Sequence, residues 1–105
     1  MDTLTRLEAT IASRKGADPD TSYVAQLHAR GVPVMARKLG EEAVETVVAA
    51  LSGSREELVG EAADVLFHLM VLLSGKDIAL AEVLAELDRR EGVSGIEEKA
   101  SRGTE

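Results

Sequence analysis

At 105 residues the chain is long enough for one domain with its own core. Nineteen Asp and Glu against twelve Lys and Arg give a net charge of −7, which argues against nucleic acid or an anionic membrane as partner. The absence of cysteine excludes a disulfide scaffold and a thiolate zinc site, and one Tyr with one Phe argues against an aromatic base-stacking platform.

Leu4, Leu7 and Ile11 recur at helical spacing and predict an amphipathic helix over about 3–14. Arg14 and Lys15 close it, where cations suit the C-terminal dipole, and Gly16 ends it. The basic pair has two readings, dipole matching alone or positive charge for a phosphate site. Residues 16–21 form a loop, after which Thr21 or Ser22 caps a short helix through Val24, Leu27 and Arg30 that stops at Gly31. Taken alone, Ser22 and Tyr23 read as a cap and a partly buried aromatic. Pro33 suits the first turn of a third helix, which runs to Leu51. Gly40 inside it costs about 1 kcal/mol relative to Ala, a cost that close approach of a helix or ligand would justify.

On the third helix Glu41, Glu42 and Glu45 fall within an arc of roughly 100° that also holds Lys38. Val44, Val47, Val48 and Leu51 lie toward the other side. Ser52-Gly53-Ser54 breaks the helix, and Ser54-Arg-Glu-Glu57 is a capping box for a fourth. There Glu61 and Asp64 are three apart and share a face, with His68 four beyond Asp64. Helices joined by so short a turn run antiparallel, so the two acid groups should face each other. Crowded carboxylates repel and resist desolvation unless a cation joins them. All-oxygen ligands suit Mg²⁺, with Mn²⁺ a possible substitute, better than zinc. The competing reading, a solvated acidic face, is weakened by the apolar character of residues 62–73, which predicts a buried helix.

Asp77 is placed to cap a fifth helix carrying Ile78, Ala81, Leu84 and Leu87 and ending at Gly92. Residues 92–105 should be a docked or mobile tail, leaving 1–105 as a single domain. No strand pattern appears, so the expected fold is an all-α antiparallel bundle of about five helices. Few core segments and an apolar fourth helix favour a dimer. Met1-Asp2-Thr3 lacks the features of a signal peptide, and the run Val65–Leu73 is too short to span a bilayer. A cytoplasmic protein is expected.

Glu41-Glu42-x-x-Glu45, fifteen residues, then Glu61-x-x-Asp64 resembles the metal motif of the MazG-like all-α NTP pyrophosphatase superfamily. Arg14-Lys15, Ser22-Tyr23, the run Lys38-Leu-Gly-Glu-Glu-Ala-x-Glu45, Ala63-Asp64-x-x-x-His68-Leu and the tail from Gly92 to Arg102 narrow the resemblance to the phosphoribosyl-ATP pyrophosphatase family of histidine biosynthesis. Leu66-Phe67 departs from the Leu-Tyr common in that family and lacks the hydroxyl. Some relatives are fused to a cyclohydrolase domain with cysteine ligands, for which this chain has neither the length nor the cysteines.

The resemblance implies hydrolysis of phosphoribosyl-ATP between the α and β phosphates, by a homodimer. Glu42, Glu45, Glu61 and Asp64 are then the expected metal ligands. Glu41 positions or deprotonates water, and Lys38 holds a phosphate or pairs with a carboxylate. Arg14, Lys15, Ser22, Tyr23 and Lys38 are expected to contact substrate. His68 is either a hydrogen-bonding support or a polar residue buried in the bundle. Three rivals stand beside this reading. One is a house-cleaning NTP pyrophosphatase with the same site, and another a non-catalytic helical dimerisation module. A di-iron bundle is disfavoured, because neither His28 nor His68 has a Glu three residues before it.

Overall fold

A computed structural model describes residues 2–102, which form six α-helices and, among the described residues, no strand. Helix α1 (Thr3–Arg14) starts at Asp2, whose carboxylate accepts the Thr5 N–H at 2.8 Å. Helix α2 (Tyr23–Arg30) is capped by Ser22, its Oγ accepting the Ala25 N–H at 3.2 Å. The chain turns into α3 (Val32–Ser52) through Gly31, whose φ of +95° lies in the region open to glycine, with Pro33 in the first turn. Helix α4 (Arg55–Gly75) opens with the predicted capping box between Ser54 and Glu57.

Two elements differ from expectation. Asp77 does not cap α5 (Leu80–Arg89); it sits at φ +57° and pairs with Lys15 at 3.2 Å. The Glu82 carboxylate instead accepts the Ala79 N–H at 2.9 Å and satisfies the start of α5 from the next turn. The tail contains a sixth helix, α6 (Gly95–Arg102), whose first turn is held by Ser94 Oγ accepting the Glu97 N–H. Its Ile96 is 84% exposed, so the apolar side chain does not dock on the bundle. Residues 103–105 of the expected tail, and Met1, lie outside the described residues.

Helices α3 and α4 pack most extensively against each other, as an antiparallel hairpin, while α1 and α2 brace its open end. The core gathers there: Ile11 of α1, Val24 and Leu27 of α2, Met35 of α3, and Met70 and Val71 of α4, with Leu80 closing it. The hairpin's turn end is left outside. Val44, Val47, Val48 and Leu51 of α3 and Val59 and Leu66 of α4 are exposed. Within one chain α4 is thus only partly covered, as expected of an apolar helix with one antiparallel partner. Two braces cover half of a 21-residue helix of roughly 30 Å and cannot reach the rest. Gly40 has no close neighbour either, since a Cβ there would meet nothing within 4 Å.

Candidate active site

The acid groups converge on the inner side of the hairpin. Carboxylate oxygens of Glu42 and Glu45 on α3 and Glu61 on α4 lie within 4.8 Å of one another. Glu61 Oε2 is buried without a hydrogen-bond partner among the described residues, which is costly for a carboxylate oxygen. Burial first, then a hydrogen bond with Glu45 and the charges of Glu45, Asp64 and Glu61, raise the Glu42 carboxyl from 4.5 to about 7. The cluster thus keeps a proton near neutrality where a cation would otherwise sit. An orphaned buried oxygen, an all-oxygen donor set and a carboxyl held protonated by its neighbours all suit a hard divalent ion.

Asp64, one turn after Glu61, is exposed and stands outside the close group, although its charge reaches both Glu42 and His68. Glu41 is not in the close group either; it lies between Arg37 Nε and Lys38 Nζ, each 3.5 Å from one of its oxygens, and its charge also reaches His68. Lys38 therefore makes the carboxylate pairing that was one of its two expected roles.

His68 is buried on α4, its Nε2 4.0 Å from Glu42 Oε1, beyond hydrogen-bonding range, and its Nδ1 without a partner among the described residues. Burial lowers its pKa, against the opposing pull of Asp64, and keeps the ring neutral at pH 7. Tyr23, at the start of α2, stacks on Phe67 and meets His68 edge-on. Composition alone had argued against an aromatic surface; it could not show that the chain's Tyr and Phe meet beside the acids. Ser22 beside it is buried, its hydroxyl engaged as the α2 cap.

The basic pair lies elsewhere. Lys15 Nζ donates to Ser74 O at 3.0 Å and pairs with Asp77, at the far end of α4 from Glu61. Thirteen residues of helix separate Glu61 from Ser74, roughly 20 Å at 1.5 Å per residue. Arg14 is exposed at that same end. Within one chain, the structure brings together Glu42, Glu45 and Glu61, with Asp64 and Tyr23 close by, and leaves Arg14 and Lys15 remote.

The family profile described as phosphoribosyl-ATP pyrophosphohydrolase matches residues 4–91, from α1 through α5 and the whole acid cluster. The chain belongs to this family. Proteins named phosphoribosyl-ATP pyrophosphatase are similar to it over nearly full length. One from Erythrobacter litoralis is 68% identical over 103 residues, covering 98% of this chain and 99% of the relative. One from Novosphingobium aromaticivorans is 69% identical over 99 residues, 94% and 92% of the two chains. A third, from Dinoroseobacter shibae, is 64% identical over 102 residues, 97% of this chain and all of the relative. Membership agrees with the all-α fold described above.

Proposed function

We propose that this chain hydrolyses phosphoribosyl-ATP to phosphoribosyl-AMP and pyrophosphate, the second step of histidine biosynthesis, with Mg²⁺ held by Glu42, Glu45, Glu61 and Asp64. The reading is carried by the three carboxylates within 4.8 Å, one with an orphaned buried oxygen, in a chain of this family. Mg²⁺, or Mn²⁺ in its place, supplies Lewis acidity and neutralises charge on the phosphoanhydride. The protein's part is to converge the acids from two rigid helices, so little reorganisation is needed when the ion arrives. Asp64 completes the set by swinging in from the surface. Glu41 is the group proposed to orient or deprotonate water. Lys38 and Arg37 hold Glu41 in place, and Lys38 is free to trade that exposed pairing for a substrate phosphate.

Ser22 serves the substrate through Tyr23, whose backbone it fixes. Arg14 and Lys15 require a second chain. A homodimer fits the exposed apolar residues at the turn end of the hairpin and the open space around Gly40. In it, the basic residues of one protomer reach the acids of the other. The proposed setting is the cytoplasm. By length and composition α4 is apolar enough to cross a membrane, but His68, Met70 and Val71 of that helix are buried in the protein and Glu61 joins the acid cluster.

The deciding experiment measures pyrophosphate release from phosphoribosyl-ATP, with and without Mg²⁺, beside a panel of ordinary and non-standard NTPs. Mg²⁺-dependent release from phosphoribosyl-ATP in preference to the panel is expected. Preference for the NTPs would return the house-cleaning reading, and no release from any substrate would sink the proposal.

A further inference from the structure

The chain contains one Tyr, one Phe and no Trp. The two rings lie forty-four positions apart in sequence, yet they stack at a centroid separation of 6.2 Å and an interplanar angle of 15°. His68 packs edge-on against both, at 5.9 Å from Tyr23 and 5.1 Å from Phe67. The fully buried core is made of aliphatic residues and methionine, and only Phe67 of the pair packs against it. Tyr23 is 46% exposed. Its backbone is set by the Ser22 cap and its ring is backed by Phe67, so a rigid aromatic surface is presented to solvent. One histidine ring separates that surface from Glu42.

A nucleotide's base and α-phosphate are joined only through a ribose, so their subsites must be near neighbours. The separation between Tyr23 and the carboxylates meets that requirement. Any purine has a π-face, and the chain's negative charge offers a neutral base no competing attraction elsewhere. We propose that Tyr23, backed by Phe67 and braced by His68, is the surface on which the purine ring of the substrate stacks while its phosphates lie at Glu42, Glu45 and Glu61. This assignment rests on the phosphoribosyl-ATP reading above and names the part of the substrate that Tyr23 takes.

With a single tyrosine and no tryptophan, ultraviolet emission from the protein reports Tyr23 alone. In Mg²⁺, AMP should quench that emission saturably, whereas ribose 5-phosphate, which lacks the base, should not. In steady-state assays Tyr23→Leu should raise KM for phosphoribosyl-ATP by about 5- to 150-fold, the range that base–aromatic stacking corresponds to, with kcat little changed. Tyr23→Phe keeps the ring and should stay near wild type. Circular dichroism checks that Tyr23→Leu remains helical, as its half-exposed position leads one to expect. An unchanged KM in folded Tyr23→Leu, or equal quenching by AMP and ribose 5-phosphate, overturns the proposal. If the wild type releases no pyrophosphate from phosphoribosyl-ATP, the reaction reading falls, and the emission titration still decides whether Tyr23 stacks a purine.

Discussion

Replacing Glu42 with Gln should stabilise the metal-free protein at alkaline pH while abolishing its activity. The Glu42 carboxyl is raised from 4.5 to about 7, by burial above all and then by Glu45, Asp64 and Glu61. The folded state therefore holds this proton more tightly than the unfolded chain does. Its contribution to stability is fully present below about pH 4.5 and is lost as pH rises through about 7. At about 1.4 kcal/mol per pKa unit the loss has an upper bound of ~3.5 kcal/mol. The side chain is 18% exposed, and residual screening brings the expected loss to ~2 kcal/mol. Gln keeps the shape and removes the ionisation, so the variant escapes that loss.

The neighbouring His68 acts in the opposite sense. Its lowered pKa contributes stability that is present above about pH 6.5 and lost as pH falls, so the comparison is read at pH 8, above that window. Thermal melts by circular dichroism in EDTA, at one protein concentration and at pH 5 and pH 8, are the assay. At roughly 4–8 °C per kcal/mol for a domain of this size, Glu42→Gln should melt about 8–16 °C above wild type at pH 8. The gap should narrow at pH 5. Added Mg²⁺ should raise the wild-type Tm and shift the variant much less. Equal Tm values at pH 8 in EDTA, or a variant less stable than wild type there, would refute the claim that the acids strain the empty cluster.

Asp64→Asn preserves shape and removes a ligand charge, so pyrophosphate release should collapse while helicity stays near wild type; near-normal turnover would remove Asp64 from the ligand set. Glu61→Gln should raise the metal-free Tm and weaken the Mg²⁺-induced rise, and a variant that responds to Mg²⁺ like wild type would count against the buried Oε2 as a ligand atom. Ser54→Ala removes one side of the α4 capping box with Glu57 and should cost about 1 kcal/mol, seen in denaturant melts; no loss of stability would show that the cap contributes nothing. Mixing inactive Asp64→Asn with inactive Arg14→Ala under subunit exchange should restore part of the activity, because one intact composite site forms per heterodimer. Absence of recovery despite demonstrated exchange would assign Arg14 to its own chain's site or to none, and a monomer in sedimentation would remove the dimer altogether.

The parts of this site legible in the sequence are those that a single helix fixes. Glu42 and Glu45 share a face because they are three apart on a helix, as do Glu61 and Asp64, and the short turn at Ser52-Gly53-Ser54 makes those faces meet. No such period relates Tyr23 to Phe67, whose stacking depends on how α2 crosses the hairpin. The position of Lys15 was equally hidden. A basic residue ending a helix suits the dipole whatever lies nearby, and only the docking of α1 against the end of α4 brings it to Ser74 and Asp77. Asp77 suits a cap by its type, but it has a left-handed backbone two residues ahead of the Ala79 cap position, and the Ala79 N–H is met by Glu82 instead.

The apolar character of α4 carries further than its burial. A single chain cannot cover such a helix along its whole length, so the same composition that predicts a buried helix also predicts a partner. The core fills the end braced by α1 and α2, while the acids occupy the inner face nearer the turn, with exposed valines and Leu51 on the outside. Two defects therefore coincide in the same half of the hairpin: uncovered apolar surface and uncompensated negative charge. Each has a remedy of its own, a second protomer for the first and a divalent cation for the second. Because both remedies act on the same two helices, holding α3 against α4 from outside also holds Glu42 and Glu45 against Glu61. Dimerisation and Mg²⁺ binding should then reinforce one another, since whichever comes first has already fixed the spacing that the other requires.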